Sequence, residues 1–291
     1  MWNVRESAHQ NDLQYYFAVL YLTYVPKPPL SRFIELFWFY EGYSQPHAKE
    51  RIMPDGSMQV IINLLENEIK TYHPNDPETF DRFPGAILAG PRSEFAIIDT
   101  ASQRSLIGIH FKAGGASRFL KMPVSELENM DVSLECLWGI HGNDVRNRLL
   151  EAESPEAKML MLERCLRERA VKPFQRHPAV DRALQLICDG SPCQSVAGIA
   201  GEIGISRRRF IQVFSDEIGL TPKLFYRIQR FQRVLHSIHA VKEVDWADVA
   251  LAHGYFDQAH FNHEFRTFSG ITPSAYLKHR TEHLNHVPLV D

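Results

Sequence analysis

The segment from Ser206 to Arg233 concentrates the side chains best suited to bind a polyanion. It contains seven lysines and arginines but only two acidic residues, Asp216 and Glu217. The whole chain carries a net charge of −3, but screening limits the reach of a charge to about 8 Å at physiological salt. The local excess therefore sets the field that a phosphate meets at contact. Arginine can bond guanine and glutamine can bond adenine through two hydrogen bonds each, so a helix presenting both types could read a DNA groove.

An internal repeat places a second set of polar side chains about 50 residues further on. Ala200 and Gly204 recur as Ala250 and Gly254 at an offset of 50. Five more positions recur at an offset of 51: Phe210, Phe214, Gly219, Thr221 and Pro222 match Phe261, Phe265, Gly270, Thr272 and Pro273. One extra residue therefore lies in the turn of the second copy. The repeat indicates one supersecondary unit used twice.

Each copy predicts a helix, a tight turn and a second helix. In the first copy Gly204 is suited to end one helix, and Ser206 is suited to cap the next. Phe210 and Phe214 bury the inner face of that second helix, and Asp257 is the corresponding cap in the second copy. The side chains left outward are Arg207, Arg208, Ile211 and Gln212 in the first copy, and Gln258, Ala259, Asn262 and His263 in the second. In a helix-turn-helix this outward face enters the major groove.

A helical connector is predicted between the two copies. Thr221 is its N-cap and Pro222 its first helical residue. Thr221 to Ala240 is 20 residues, which as a helix spans roughly 30 Å. One turn of B-DNA is about 34 Å, so a rigid connector could hold two recognition helices in successive major grooves on one face of the duplex.

The residues of the second copy resemble the signature of the AraC/XylS family of transcription regulators. The matching positions are Ala250, Gly254, Tyr255, Asp257, Phe261, Phe265, Arg266, Gly270, Pro273 and Tyr276. The resemblance covers about residues 180–280, that is, both copies and the connector. It implies a seven-helix DNA-binding domain with a helix-turn-helix at each end of a linking helix.

The resemblance also implies roles for individual residues. Base contacts map to Arg208, Ile211 and Gln212 in the first copy, and to Gln258, Ala259, Asn262 and His263 in the second. Backbone phosphate contacts, which carry the salt-sensitive part of affinity, map to Arg207, Arg209, Lys223 and Arg266. From Ala240 to Gly270, five acidic residues face only two basic ones. We therefore expect the first copy to supply more of the binding energy and the second mainly to discriminate between sequences.

The pattern of the N-terminal half predicts strands followed by helices. Residues 24–112 contain short aromatic and β-branched runs separated by turn residues, which predicts a sandwich or small barrel. Several segments resemble a β-rich sensor domain found ahead of such DNA-binding domains: Pro28-Pro29-Leu30, Ile34 to Trp38, Pro54-Asp55-Gly56, Ile61 to Asn63, Gly90-Pro91-Arg92, and Gly108 to Gly115. Helical spacing then dominates as far as Ala170.

These readings give an α+β fold of two domains: a β-rich N-terminal sandwich or barrel with helices, and an all-α double helix-turn-helix. The predicted division is an extension at 1–23, a sensor or regulatory domain at 24–170, a proline-containing linker at 171–178 and a DNA-binding domain at 179–285. The chain has 291 residues, a suitable length for two domains.

A cupin-like metal-dependent enzyme, or a ligand-binding protein with an accessory helical domain, is the alternative from another class. His47, His73 and His110 lie in the strand-rich half and could ligate a metal. The sequence has no His-x-His spacing, Walker loop or nucleophile elbow. His260 and His263 are spaced so that they could in principle ligate zinc. His279, His283 and His286 form a tail cluster that is expected to be solvated, with weak metal binding as the alternative. We expect no catalytic activity, no metal and no cofactor.

A third interpretation is a protein-interaction module in which the helical segment Asp144 to Ala170 pairs subunits, although its apolar stripe is more typical of intramolecular core. The expected partners are double-stranded DNA, RNA polymerase, a small-molecule effector of unknown identity and a second copy of the chain. The longest apolar run, Tyr15 to Val25, is too short for the ~20 residues that span a bilayer. Four cysteines without CxxC spacing indicate reduced thiols. We therefore expect a cytoplasmic protein that does not contact a membrane.

Overall fold

The computed structural model of the chain describes residues 2–7, 19–42, 45–188 and 196–289. Its strands are Trp2–Ser7 (β1), Val19–Tyr24 (β2), Ile34–Glu41 (β3), Lys49–Ile52 (β4), Met58–Asn63 (β5), Ile69–His73 (β6), Asp76–Phe83 (β7), Ala86–Ala89 (β8), Ala96–Asp99 (β9), Ser105–Phe111 (β10), Asp131–Ser133 (β11) and His286–Pro288 (β12). Its α-helices are Leu134–Trp138 (α1), Ile140–Glu151 (α2), Pro155–Arg167 (α3), Pro178–Cys188 (α4), Val196–Ile203 (α5), Arg207–Ile218 (α6), Pro222–Ile238 (α7), Trp246–Ala252 (α8), Gln258–Ser269 (α9) and Pro273–His279 (α10).

The described strands form two antiparallel sheets. The first has seven strands in the order β1-β2-β3-β10-β5-β8-β11, and the second has five in the order β12-β4-β9-β6-β7. Within the predicted extension, residues 2–7 form β1 and residues 19–23 form most of β2, and both strands belong to the first sheet. On β10, the central strand of this sheet, Gly108 lies opposite Trp38 of β3 and Ile61 of β5. A Cβ at Gly108 would come within 2.4 Å of the Trp38 ring, so only glycine fits beneath it.

One face of the first sheet packs against α1 to α3. Alternate residues of a strand point to opposite faces, and the set that includes Phe37, Phe39, Val60 and Ile107 is buried with the helices. From α3, Met159, Leu162, Cys165 and Leu166 join this core, with at most 2% of their surface exposed. The apolar stripe of α3 is therefore intramolecular core, while Leu160 beside it is 51% exposed.

The C-terminal half is helical and has its own core. The phenylalanines of the repeat, Phe210, Phe214, Phe261 and Phe265, have no exposed surface and pack with the buried side of α7. The β-rich N-terminal region and this helical region confirm the predicted fold class. Within the described residues, no helix is both long enough and apolar enough to cross a membrane.

The connector is shorter than predicted. Helix α7 has 17 residues, which corresponds to about 25 Å, because the regular helix begins after its cap Thr221 and ends at Ile238 rather than Ala240. Its start agrees with the sequence: the Thr221 hydroxyl accepts a hydrogen bond from the Leu224 N–H, and Pro222 follows as the first helical residue.

The segment between α3 and α4, predicted as part of the linker, is held against the N-terminal half. The N–H groups of Val171 and Lys172 donate to the Arg118 carbonyl. The Phe174 ring lies 5.7 Å from that of Phe33 and 6.0 Å from that of Phe119. These contacts fix the point at which the chain enters the helical half.

The two halves also meet along α7 and at the end of the described chain. Gln229 and Gln232 of α7 donate to the carbonyls of Asp55 and Pro54, both at 2.7 Å. After α10, β12 pairs with β4 and so adds a C-terminal strand to the sheet of the N-terminal half. The helical half is therefore joined to the sheets at several places other than the 171–177 segment.

Candidate nucleic-acid interface

The first helix-turn-helix consists of α5 and α6, and α6 is the candidate recognition helix. Gly204 in the turn has a φ of +74°, and the Ser206 hydroxyl caps α6 by accepting from the Arg209 N–H at 3.2 Å. Arg208 and Gln212 are exposed and Ile211 is half-buried. The Gln212 amide donates to Asp216 at 2.7 Å, a contact that must open before this amide can bond a base.

The second helix-turn-helix consists of α8 and α9. Gly254 has a φ of +72°, and the Asp257 carboxylate caps α9 by accepting from the His260 N–H at 2.7 Å. The four residues predicted to contact bases are all exposed: Gln258, Ala259, Asn262 and His263. The structure thus brings each predicted set together on the outward, N-terminal half of a capped helix.

Family models match both halves of the chain. Residues 199–279 match the family model described as a helix-turn-helix domain. The C-terminal region is an AraC-type helix-turn-helix domain. Residues 22–133 match a family described as a domain of unknown function, DUF6597.

Solved structures with similarity to the chain include proteins from two bacteria. The apo form of a ToxT variant from Vibrio cholerae is 12% identical with a TM-score of 0.45, covering 83% of this chain and 97% of that one. ToxT from the same species, bound to a naphthalenyl butenoic acid, is 13% identical with a TM-score of 0.46, covering 83% and 98%. The C-terminal domain of AraT, a response regulator from Geobacillus stearothermophilus, is 20% identical with a TM-score of 0.33, covering 36% and 87%.

The predicted phosphate-contacting residues of the AraC-type domain are exposed. They are Arg207 and Arg209 at the start of α6, Lys223 at the start of α7, and Arg266 on α9. In the described part of the chain none of the four forms an ion pair, so each is available to an external anion.

Three arginines counted in the basic excess are engaged within the protein, so they add less to the outward charge than the sequence indicates. Arg230 is 8% exposed and donates to Glu264 at 2.6 Å and to the Gly254 carbonyl at 3.1 Å. Arg227 bonds the other carboxylate oxygen of Glu264 at 2.7 Å, and Arg233 donates to the Ile187 carbonyl. The cationic surface available to DNA is thus concentrated at the starts of α6 and α7.

Glu264 is the centre of this buried network. Burial by itself would raise its pKa, but Arg227 and Arg230 outweigh that effect and hold the pKa of the carboxyl below its usual range. The guanidinium of Arg230 also lies 3.8 Å from the centre of the Tyr255 ring. The network ties α7 to α9 and to the turn before α9.

The negative charge of the second helix-turn-helix is therefore less available than its sequence indicates. Glu264 is paired with two arginines, and the Asp245 and Asp257 carboxylates each accept N–H bonds at the start of a helix. Of the five acidic residues in this segment, Glu243 and Asp248 are left exposed without such a role.

Phe256 is an exposed residue of the second copy that the sequence pattern did not single out. The N–H of Ile205 donates to the Ala200 carbonyl, and the N–H of Tyr255 donates to the Ala250 carbonyl in the same way. Ile205 and Tyr255 are thus equivalent, as are the two N-caps that follow, so the residue inserted in the second copy is Phe256. Its side chain is 90% exposed immediately before the recognition helix. The change of offset from 50 to 51 was the signal that could have located it.

The three histidines of the strand-rich half that were considered as metal ligands each lie beside a different carboxylate. His47 contacts Glu50 at 2.6 Å, His73 contacts Asp81 at 3.7 Å and His110 contacts Asp55 at 3.5 Å. His286, expected to be solvated in the tail, also bonds Glu50, at 2.9 Å. Over the residues that the structure describes, no three His, Cys, Asp or Glu side chains form a group able to hold a metal ion.

The pair formed by His110 and Asp55 predicts a pH dependence of stability. Burial by itself would raise the pKa of Asp55, but the interaction with His110 and the hydrogen bonds from Ser57 together outweigh it, and the pKa falls below 3.8. Burial would lower the pKa of His110, but Asp55 raises it above 6.5. The stabilisation contributed by the ionised Asp55 is fully present above pH 3.8 and is lost as pH falls through its lowered pKa. The stabilisation contributed by the protonated His110 is fully present below pH 6.5 and is lost as pH rises through its raised pKa.

We therefore expect the His110→Gln variant to lose most stability, relative to the wild type, between these two pH values. Melting temperatures of both proteins across a pH series would measure the difference. A deficit that stays constant at alkaline pH would show that lost packing, rather than lost charge, accounts for it.

Proposed function

We propose that the chain is a sequence-specific regulator of transcription whose two recognition helices enter successive major grooves of one duplex. The observation that carries this proposal is the equivalence of α6 and α9. Each follows a glycine turn and a capping side chain, and each exposes polar side chains along its N-terminal half. Helix α7, about 25 Å long, lies between the two units, and we expect such a pair to bind half-sites about one helical turn of DNA apart.

Within this proposal the base contacts come from the outward face of each recognition helix. Arg208 bonds guanine, Gln212 bonds adenine once released from Asp216, and Ile211 contacts a thymine methyl. In the second copy Gln258 and Asn262 supply amides, His263 a ring nitrogen and Ala259 a methyl group. Arg207, Arg209, Lys223 and Arg266 bind phosphates, so affinity falls as salt rises.

The first copy is proposed to supply more of the binding energy. Two of its exposed arginines, together with Lys223, surround the start of α6 and α7, whereas the second copy presents Arg266 as its phosphate contact. Glu264 is paired and Asp245 and Asp257 are capping, so these acids repel phosphate less than the sequence indicates. This reduces the difference in binding energy between the two copies but does not reverse it.

We assign Phe256 an apolar contact with DNA, which gives the second copy binding energy that does not depend on charge. An exposed phenyl ring costs solvation in the free protein. Beside the start of α9 it can cover a deoxyribose or a thymine methyl in the second half-site.

The Phe256→Ala variant is expected to bind a two-half-site duplex about tenfold more weakly, because burying a phenyl ring contributes on the order of 1–2 kcal/mol. The salt dependence of binding should stay the same, since no phosphate contact is removed. Fluorescence anisotropy over a salt series measures both quantities. Ile140→Ala, which trims a side chain that is 79% exposed in the N-terminal half, is the control, and equal affinities of the two variants would contradict the assignment.

The decisive experiment for the function is selection of bound duplexes from a random library by the full chain. The proposal requires two enriched half-sites separated by about one helical turn, 10–10.5 base pairs. Enrichment of a single half-site would contradict the use of both helices, and the absence of any enriched sequence would overturn the proposed function.

The N-terminal half, residues 24–170 together with the paired strands β1 and β2, is proposed to be a regulatory domain. It is followed by a proposed linker at 171–178 and a proposed DNA-binding domain at 179–285. Both sets of predicted base-contacting residues stay accessible in the presence of this half. An effector would therefore act by changing how the two recognition helices, which we call the two readers, are held relative to each other, rather than by uncovering them. Such a change is a shift of population between arrangements of the readers. RNA polymerase and a second copy of the chain are proposed as further partners, and the cytoplasm as the location.

A further inference from the structure

One loop of the N-terminal half touches both recognition helices at equivalent positions. This loop, Gly90–Phe95, connects β8 to β9. Its first part meets Gly219, the residue that ends α6, and its last residue meets Gly270, the residue that ends α9. Gly219 and Gly270 are partners in the internal repeat.

The two contacts are close. A Cβ built at Gly219 would lie 2.3 Å from Cγ of Pro91, and one at Gly270 would lie 2.6 Å from Cε1 of Phe95. Both glycines have positive φ, +92° and +73°, as left-handed helix caps require. The loop therefore packs directly on the backbone at the end of each recognition helix, opposite the end that carries the base-contacting residues.

The loop itself is firmly anchored. The Arg92 guanidinium lies 2.7 Å from both carboxylate oxygens of Asp131. The N–H of Asn129 donates to the Pro91 carbonyl, and the Asn129 side chain accepts from the Ser93 N–H at 2.8 Å. Two charged hydrogen bonds and these turn contacts hold the loop in one geometry.

The end of α6 is fixed by a second set of contacts. Glu217 lies 3.2 Å from Arg118 of the N-terminal half, and both side chains are at most 10% exposed. Ile218 packs so closely on Gly114 that a Cβ there would come within 2.7 Å of Cδ1. The end of α6 is thus packed on the N-terminal half, and Phe95 packs in the same way on the end of α9.

We propose that the Gly90–Phe95 loop is a brace that sets the distance and orientation of the two recognition helices. Helix α7 joins the two readers on one side, and the brace joins their far ends on the other. With both connections in place, the two recognition helices cannot bend or twist relative to each other as freely as α7 alone would permit. Pro91 and Phe95 are then positioning residues for DNA recognition, an inference that rests on the proposed function.

The position of the brace also connects it to the sheets. Strand β8 belongs to the seven-stranded sheet and β9 to the five-stranded sheet, so the loop crosses from one to the other. A shift of one sheet against the other moves the brace and changes the spacing of the readers. An effector that alters this packing can therefore change which half-site separations are bound.

The test measures spacing preference with the full chain and the duplex that the wild type selects from a random library. Affinity is compared for that duplex, for versions with one, two or three base pairs inserted between the half-sites, and for a duplex with the first half-site alone. Phe95→Ala should weaken binding at the selected spacing about tenfold. It should also flatten the loss on insertion and leave the single half-site affinity unchanged.

Leu65→Ala is the matched control, since it trims an apolar side chain that is 60% exposed in the turn after β5, and it should keep the wild-type profile. Pro91→Ala, which removes the contact to Gly219 instead, provides a second variant if Phe95→Ala lowers the melting temperature. A wild-type spacing profile in the folded variants overturns the brace. Failure of the wild type to select any sequence overturns the proposed function instead.

Discussion

Replacing Glu264 with glutamine is expected to lower the free energy of unfolding by about 3–5 kcal/mol, the usual cost of leaving a buried charge without its partner. The variant keeps the size of the side chain but removes the charge that two guanidiniums face. Arg230 would then be buried without a counter-charge, beside a neutral amide, the Gly254 carbonyl and the Tyr255 ring. Urea denaturation followed by circular dichroism measures the loss.

Two controls separate the charge from the shape. Glu243→Gln removes an exposed acid from the same half and should change stability by no more than about 0.5 kcal/mol. The double variant Arg230→Met with Glu264→Leu replaces the pair by apolar side chains, and such replacements often recover most of the stability. If Glu264→Gln unfolds at the same urea concentration as the wild type, the network contributes little and the readers are held by their aromatic core.

This network also shows where sequence reasoning stops. Ser206, Thr221 and Asp257 could be predicted as caps because a cap depends on the three residues that follow it. Phe210 and Phe261 could be predicted as core because helical periodicity is local. Arg230 has the residue type of a surface position, and its burial depends on Glu264, 34 residues later in the chain, so no local pattern identifies it.

The same distinction applies to the candidate site. Its exposed residues follow from the repeat, which is visible in the sequence. The contacts of Pro91 with Gly219 and of Phe95 with Gly270 join residues more than 100 positions apart, and the Gly90-Pro91-Arg92 run indicates a turn without naming what the turn meets. Phe256 lies between these cases, because the extra residue of the second copy was visible and its exposure was not.

Replacing Arg208 with alanine is expected to cost about 1–3 kcal/mol at the preferred base and to relax discrimination at that single position. Arg208 is exposed on the outward face of α6, where a guanidinium can bond O6 and N7 of guanine. Competition binding against duplexes carrying each of the four base pairs at that position measures the loss. The number of counterions released on binding should stay nearly constant, because a side chain that contacts a base neutralises no phosphate.

Arg207→Ala is the matched comparison, one residue earlier on the same helix and equally free of ion pairs within the described residues. It should weaken binding to every sequence by a similar factor and reduce the slope of log affinity against log salt by about 1. If Arg208→Ala behaves in this uniform way, its guanidinium binds phosphate and the recognition face is rotated from the one assigned here. If the two variants exchange their behaviours, α6 still enters the groove but presents Arg207 to the bases, and the contacts assigned to Ile211 and Gln212 shift with it.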